Sequence, residues 1–292
     1  MKRRNFVTAL ATASIAALAG CASGRRGRSR WPLGCFTRPW SDFDLYTAMD
    51  EIAAAGFKQI GLMTTAPKGR LALSLSTSEP EAQKMGEEAH RRGLTVAAAY
   101  VGDFPLQGTR QQGIDGLRKL IDLCVVSRCK TALLGGTGKA EYYDTYYGIV
   151  ADCCQEAMNK GVQLVLKPHG GLNATGPQCR KTIEKVNHAN FRLWYDPGNI
   201  YYYSDGTLDP AEDVASVDGI VTGMCVKDYQ HPKIVEITPG SGQVRFPAVW
   251  SRLVKGGFSQ GPLIIECLKK GTLAEIRTEA IAARLFLERL LA

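Results

Sequence analysis

The chain has 292 residues, of which 45% are hydrophobic and 22% charged, enough for one large domain or two small ones. Its formal net charge of +8 would invite nucleic acid as a partner, but residues 1–31 hold Lys2, Arg3, Arg4, Arg25, Arg26, Arg28 and Arg30 and no acid. That leaves 29 cations against 28 acids in the rest. A nearly neutral body lacks the basic surface that a polyanion requires, so nucleic acid is excluded.

The first segment, MKRRNFVTALATASIAALAGCAS, has a basic start, an apolar stretch from Phe6 to Ala19 and small residues before Cys21. This is the layout of a secretory signal, too short for the about 20 apolar residues of a spanning helix. Arg3-Arg4 resembles a twin-arginine export signal, and Leu18-Ala19-Gly20-Cys21 resembles a bacterial lipoprotein cleavage box with Cys21 as the lipidated residue. An ordinary secretory signal with an incidental cysteine is the alternative. The basic GRRGRSR stretch that follows suits weak contact with anionic lipid. Residues 1–31 are therefore expected to be an export signal and basic tether. The protein is expected in the periplasm or cell envelope, held to the membrane through Cys21 if the lipoprotein box is used and soluble there if the cysteine is incidental. Nine cysteines would suit disulfides in an exported protein, yet Cys35, Cys225 and Cys267 fall within apolar strands and no regular spacing repeats. They read as small buried hydrophobes.

From Trp31 onward, short apolar runs recur: LGCF (33–36), KQIGLM (58–63), TVAAAYV (95–101), TALLGG (131–136), VQLVLK (162–167), FRLWYD (191–196), VTGMCVK (221–227) and LIIECL (263–268). Most are apolar on both faces, as strands of a covered parallel sheet must be. Helical patterns lie between them. DFDLYTAMDEIAAAGF stops at Gly56, SEPEAQKMGEEAHRRG at Gly93 and AEYYDTYYGIVADCCQEAMNKG at Gly161. LDPAEDVA puts Asp209 at an N-cap and Pro210 at the first helical position, and AEIRTEAIAARLFLERLLA is an amphipathic closing helix. Eight strand–helix units over residues 32–292 predict an α/β (β/α)8 TIM barrel, a single domain after the N-terminal segment, with 228–261 a loop plus helix in the last unit. The rival doubly wound sheet would prefer a G-x-G-x-x-G turn, and none is present. GGTGKA (135–140) lacks phosphate-loop spacing and reads as a turn, so no nucleotide cofactor is expected.

Active sites of such barrels form where the strands end. Strand five ends in Lys167 and His169, and strand six in Asp196 followed by Pro197-Gly198-Asn199. Strand seven ends in Cys225, Lys227 and Asp228, strand eight in Glu266, and strand one near Arg38 and Trp40. Lys167 and His169 lie two apart and share a face, as do Cys225 and Lys227. Asp196 and Glu266 end apolar strands, where an unpaired carboxylate would be costly, so each needs a lysine, a metal or both. PGSG (239–242) precedes a predicted helix and could hold an anion on its amides, or be an ordinary turn. The tyrosines of IYYYSDG (200–206) and AEYYDTYY (140–147) suit sugar rings or cover the barrel mouth.

VQLVLKPHGG, LWYDPGN, GMCVKDY and PGSGQVRFPAVWSRLVKGGFSQGPLIIECL together resemble the xylose-isomerase-like barrels of the sugar phosphate isomerase and epimerase family, over residues 32–292. The resemblance implies one divalent metal with four ligands: a Glu ending strand five, an Asp ending strand six, a His on strand seven and a Glu ending strand eight. Asp196 and Glu266 match. Lys167 stands where the first Glu is expected, Cys225 where the His is expected, and Asn199 where sugar epimerases often carry a His. Two arrangements are open. In one, His169, Asp196 and Glu266, with Cys225 as a further candidate, hold Mn, Mg or Zn. In the other, no metal is needed and Lys167 supplies the charge, as electrophile or as a base of depressed pKa.

The resemblance implies a sugar isomerase, epimerase or related lyase that abstracts a proton beside a carbonyl. Lys167, Glu266 and His169 would be catalytic, and Lys227, Asn199, Arg38 and Trp40 would bind a small carbohydrate. Export argues for a free, oxidised or keto sugar over a sugar phosphate. A non-catalytic carbohydrate-binding barrel with a degenerate metal site is the alternative. An endonuclease reading fails for want of ligands, since the chain has only four histidines.

Overall fold

The computed structural model describes residues 30–67 and 69–292. The signal and tether reading, Cys21 included, lies almost wholly outside the described residues. Arg30 and Trp31 are already attached to the body: the Gly261 amide donates to the Arg30 carbonyl (2.9 Å), and the Trp31 ring meets Trp250 edge-on at 4.9 Å.

Eight parallel strands close a barrel in sequence order. They are β1 (Leu33–Phe36), β2 (Gln59–Leu62), β3 (Thr95–Tyr100), β4 (Thr131–Leu134), β5 (Gln163–Leu166), β6 (Phe191–Tyr195), β7 (Val221–Val226) and β8 (Leu263–Ile265). The last strand closes on the first with Leu33 beside Leu263 and Cys35 beside Ile265. All eight expected strands are present. Their ends are shorter than the apolar runs, because the residues that follow turn away into the loops of the mouth.

The outer layer comprises α1 (Leu45–Ala54), α2 (Glu79–Arg91), α3 (Arg110–Val126), α4 (Tyr143–Asn159), α5 (Gly176–Val186), the short α6 (Pro197–Tyr203) and α7 (Pro210–Asp213), α8 (Phe246–Lys255) and α9 (Leu273–Leu291). Local chemistry sets their ends. Ser78, Thr109 and Thr272 form capping boxes with Glu81, Gln112 and Glu275, and Asp209 caps α7 as expected. Gly56, Gly93 and Gly161 follow α1, α2 and α4 at φ of 89°, 71° and 72°, the left-handed stop that glycine alone takes without strain.

Two apolar layers hold the barrel. The larger lies between strands and helices. The smaller fills the barrel interior with Phe36, Met63, Ala97, Ala98, Leu133, Val165, Trp194, Cys225 and Ile264. Each such aliphatic or aromatic side chain contributes roughly 1.5–3 kcal/mol by leaving water. The eight described cysteines are free and buried, as small hydrophobes are.

Candidate active site

The interior layer fixes which side chains reach the mouth. Residues two apart on a strand share a face, so each interior residue is followed by one that caps the interior. Phe36 leads to Arg38, Val165 to Lys167 and then His169, Trp194 to Asp196, Cys225 to Lys227, and Ile264 to Glu266. On β3, Ala98 leads to Tyr100.

These ends converge on a buried ion-pair network. Lys167 Nζ lies 2.5 Å from Glu266 Oε2 and 3.4 Å from Asp196 Oδ2. Lys227 Nζ lies 2.7 Å from Glu266 Oε1 and 3.3 Å from Asp196 Oδ2, and donates to Asn199 Oδ1 at 2.8 Å. Arg38 NH1 donates to Glu266 Oε1 at 2.7 Å. Both lysines and both carboxylates are at most 3% exposed, so little water screens them, whereas the Arg38 side chain is 34% exposed. Asn199 also donates through Nδ2 to the Pro168 carbonyl (2.6 Å), and its amide caps Asp196 Oδ1 (3.0 Å). Asp196 thus doubles as the N-cap of α6.

Burial opposes the charge on Lys167, but Glu266 and Asp196 outweigh it and hold the ammonium's pKa well above the usual lysine value. Lys227 is likewise desolvated and likewise kept charged by Asp196 and Glu266. Lys167 as a base of depressed pKa is therefore corrected: it is a fixed cation. Desolvation would raise Glu266, but Lys167, Lys227 and Arg38 prevail and hold it well below the ordinary carboxylate range. For Asp196 desolvation wins over Lys227 and Lys167, so its pKa is raised.

A cavity of about 140 Å³ opens above the network, lined by Arg38, His169, Asn199, Tyr202, Tyr203, Lys227 and Val235. Lys167 and Glu266, expected to act on substrate, lie beneath this lining and position Lys227 and Arg38. Trp40 is corrected too: it is fully buried in the layer between strands and helices. His169 stands exposed at the mouth, its ring 5.8 Å from Tyr100 and 5.8 Å from Tyr203. Although part of the residue reaches solvent, desolvation of the ring and then the charges of Lys167 and Lys227 lower its pKa, so the ring is neutral near pH 7 and its lone pair available. Tyr100 was not anticipated. Its place two residues after interior Ala98 was the signal, and burial pushes its pKa up to about 12 despite Lys167 at 5.9 Å from the ring.

The PGSG amides do hold an anion, and it belongs to the chain. Asp228 accepts from the Gly240, Gly242, Val244 and Tyr229 amides at 2.8–3.0 Å, bracing the loop after β7.

The four-ligand divalent site implied by the resemblance does not fit these side chains. Among the described residues, the one converging group of His, Cys, Asp and Glu donors is Asp196, Cys225 and Glu266, within 4.8 Å of one another. The ring nitrogens of His169 do not join it, which corrects the expected ligand set. The carboxylate oxygens a metal would take already face two ammonium groups.

The family model described as Xylose isomerase-like TIM barrel matches residues 49–290. No curated protein matches the chain. Among solved structures, a xylose isomerase domain protein from Planctomyces limnophilus is 18% identical with a TM-score of 0.68, covering 89% of this chain and 97% of its own. A D-psicose 3-epimerase determined in the presence of D-fructose is 12% identical with a TM-score of 0.71, covering 89% and 99%. A D-psicose 3-epimerase with D-tagatose from Clostridium cellulolyticum H10 is 14% identical with a TM-score of 0.68, over the same shares. At these identities the likeness is one of fold.

Proposed function

This chain belongs to the xylose isomerase-like TIM barrel family, and from that footing we propose that it is a sugar isomerase or epimerase in which paired ammonium groups stand in for the divalent ion. The observation that carries this reading is the Lys167–Lys227–Asp196–Glu266 network beneath a cavity into which Lys227, Arg38 and a neutral His169 point. Three cations against two carboxylates leave an excess of positive charge at the cavity floor. Such fixed charge stabilises the oxyanion that forms when a proton leaves the carbon beside a carbonyl.

His169 is the group in the lining that can take that proton. Its low pKa makes it a weak base in the empty site, but the growing enolate beside it raises its proton affinity as the reaction proceeds. Return of the proton to the adjacent carbon, with the carbonyl moving, isomerises the sugar. Return to the opposite face of the same carbon, from a second donor, epimerises it. The unit that reacts on this reading is an unphosphorylated keto sugar, like the sugars named with the epimerases of similar fold.

The test is deuterium uptake next to the carbonyl of D-fructose, D-psicose and D-tagatose in heavy water, followed by NMR with and without EDTA. Exchange is expected to persist with EDTA and to fall by about 10²–10³-fold in Lys227→Met, the usual effect of losing one oxyanion donor. Exchange abolished by EDTA and restored by Mn²⁺ would sink the ammonium reading. Binding of these sugars with no exchange would leave a carbohydrate-binding barrel instead.

The reading includes export, which rests on residues 1–31 as sequence alone. The full chain is expected in the membrane fraction and its Cys21→Ser variant in the soluble fraction outside the cytoplasm. Recovery of both from the cytoplasm would refute it.

A further inference from the structure

A second hollow lies beside the catalytic cavity and takes no part in the chemistry above. It measures about 510 Å³ and is formed by the loops after β3 and β4, including the GGTGKA stretch. Its walls combine the Tyr142 ring with Asp103, Gln107, Thr137 and Lys139. Gln107 Nε2 donates to the Tyr142 hydroxyl (3.0 Å) and Lys139 Nζ stands 5.5 Å from the Tyr142 ring centre, so the ring is held in place while the residue stays half-exposed. The Asp103 carboxylate is exposed and makes no hydrogen bond or ion pair among the described residues. An aromatic face edged by a carboxylate, an amide and an ammonium is the chemistry that holds a sugar ring: the ring stacks, and the polar tips take its hydroxyls.

The two hollows have no lining residue in common but lie close together, with Gly136 lining the larger and His169 the smaller. Tyr100 ends β3 with its ring 5.8 Å from that of His169, and Asp103 three residues on lines the larger hollow. Gly135, next to Gly136 in the chain, keeps the two close, since a Cβ there would collide with the Tyr100 hydroxyl and lie 3.1 Å from His169 Nδ1. The catalytic cavity, at about 140 Å³, is the smaller of the two by far.

We propose that the groove at Tyr142 and Asp103 is a subsite for a second sugar unit, so that the substrate is a glycoside: the reacting sugar enters the inner cavity while its glycosidic partner stacks on Tyr142. This rests on the sugar-isomerase reading and names its substrate class.

Gly138 offers a clean way to test it. It lines the groove, and a Cβ built there meets nothing within 4 Å, so a bulky residue enters the groove without displacing the fold. Binding would be measured by calorimetry on the full chain, using glucose, galactose, xylose and fructose against maltose, cellobiose, lactose, xylobiose and sucrose. At least one disaccharide is expected to bind about tenfold or more tighter than its component monosaccharides. Both Gly138→Trp and Tyr142→Ala are expected to erase that advantage and leave monosaccharide affinity within about twofold. Equal affinity for mono- and disaccharides, or an advantage that survives both variants, overturns the subsite and leaves the isomerase reading standing. No binding of any sugar in the panel overturns both.

Discussion

Replacing Lys167 by methionine is expected to destabilise the protein by about 3–5 kcal/mol, the usual cost of removing one partner from a buried ion pair. Methionine keeps the length and apolar stem of lysine, so the change is nearly one of charge alone. Glu266 would keep Lys227 and Arg38, at 2.7 Å each, whereas Asp196 would keep only Lys227 at 3.3 Å. The loss should therefore fall toward the lower end of the range. Urea unfolding would show a lower midpoint with an unchanged slope. The double variant Lys167→Met with Glu266→Leu should recover part of the loss, because apolar replacement of a whole buried pair is often neutral. A loss under about 1 kcal/mol for the single variant would mean that Lys167 does not neutralise the carboxylates.

The same network sets the pH range of stability. Glu266 has its folded pKa lowered, so its contribution is complete above the unfolded value of 4.5 and disappears only as pH falls through the much lower folded value. Lys167 has its folded pKa raised, so its contribution is complete below 10.5 and disappears as pH rises through the higher folded value. Both shifts widen the plateau, one on each side. His169 acts in the opposite sense: lowered from 6.5 to about 3, it favours unfolding as pH drops through that window, modestly because the residue is exposed.

His169→Gln is expected to lower kcat by about 10²–10⁴-fold, the range for loss of a positioned general base. The loop is fixed by backbone and neighbouring side-chain bonds, among them the His169 amide to the Asn173 carbonyl (3.0 Å) and Asn199 Nδ2 to the Pro168 carbonyl (2.6 Å), which glutamine keeps. Stability should therefore change little, and a fall in rate without a fall in unfolding temperature separates chemistry from folding. In NMR the wild-type His169 ring should stay neutral from about pH 5 to 8, where an unperturbed histidine titrates. Turnover intact in the glutamine variant would move the proton-accepting role to Asp196, whose raised pKa makes it the next candidate.

The barrel was legible because its signals are local. Each strand is an apolar run of the right length, and each helix stop at Gly56, Gly93 and Gly161 depends on neighbours a few residues away. The inward set at the mouth was legible too, since parity along a strand places Lys167, Asp196, Lys227 and Glu266 on the face of Val165, Trp194, Cys225 and Ile264. Trp40 misled because an aromatic residue near a strand end reads the same whether it points to the mouth or packs under a helix. Tyr100 passed unnoticed inside an otherwise plain apolar run.

The sequence by itself thus determined an eight-strand barrel whose ends carry two carboxylates and at least two cations, and a half-matched set of metal ligands. It could not decide between a metal held by His169 and a carboxylate–ammonium network, because that depends on a few ångströms between residues far apart in the chain. Only barrel closure brings Lys167 within 2.5 Å of Glu266, 99 residues away, and Lys227 within reach of both carboxylates. The same closure leaves His169 outside the donor cluster and at the rim. Electrostatic energy varies steeply at such separations in a dry interior, so tertiary geometry turned a list of charged strand ends into a cation-rich pocket.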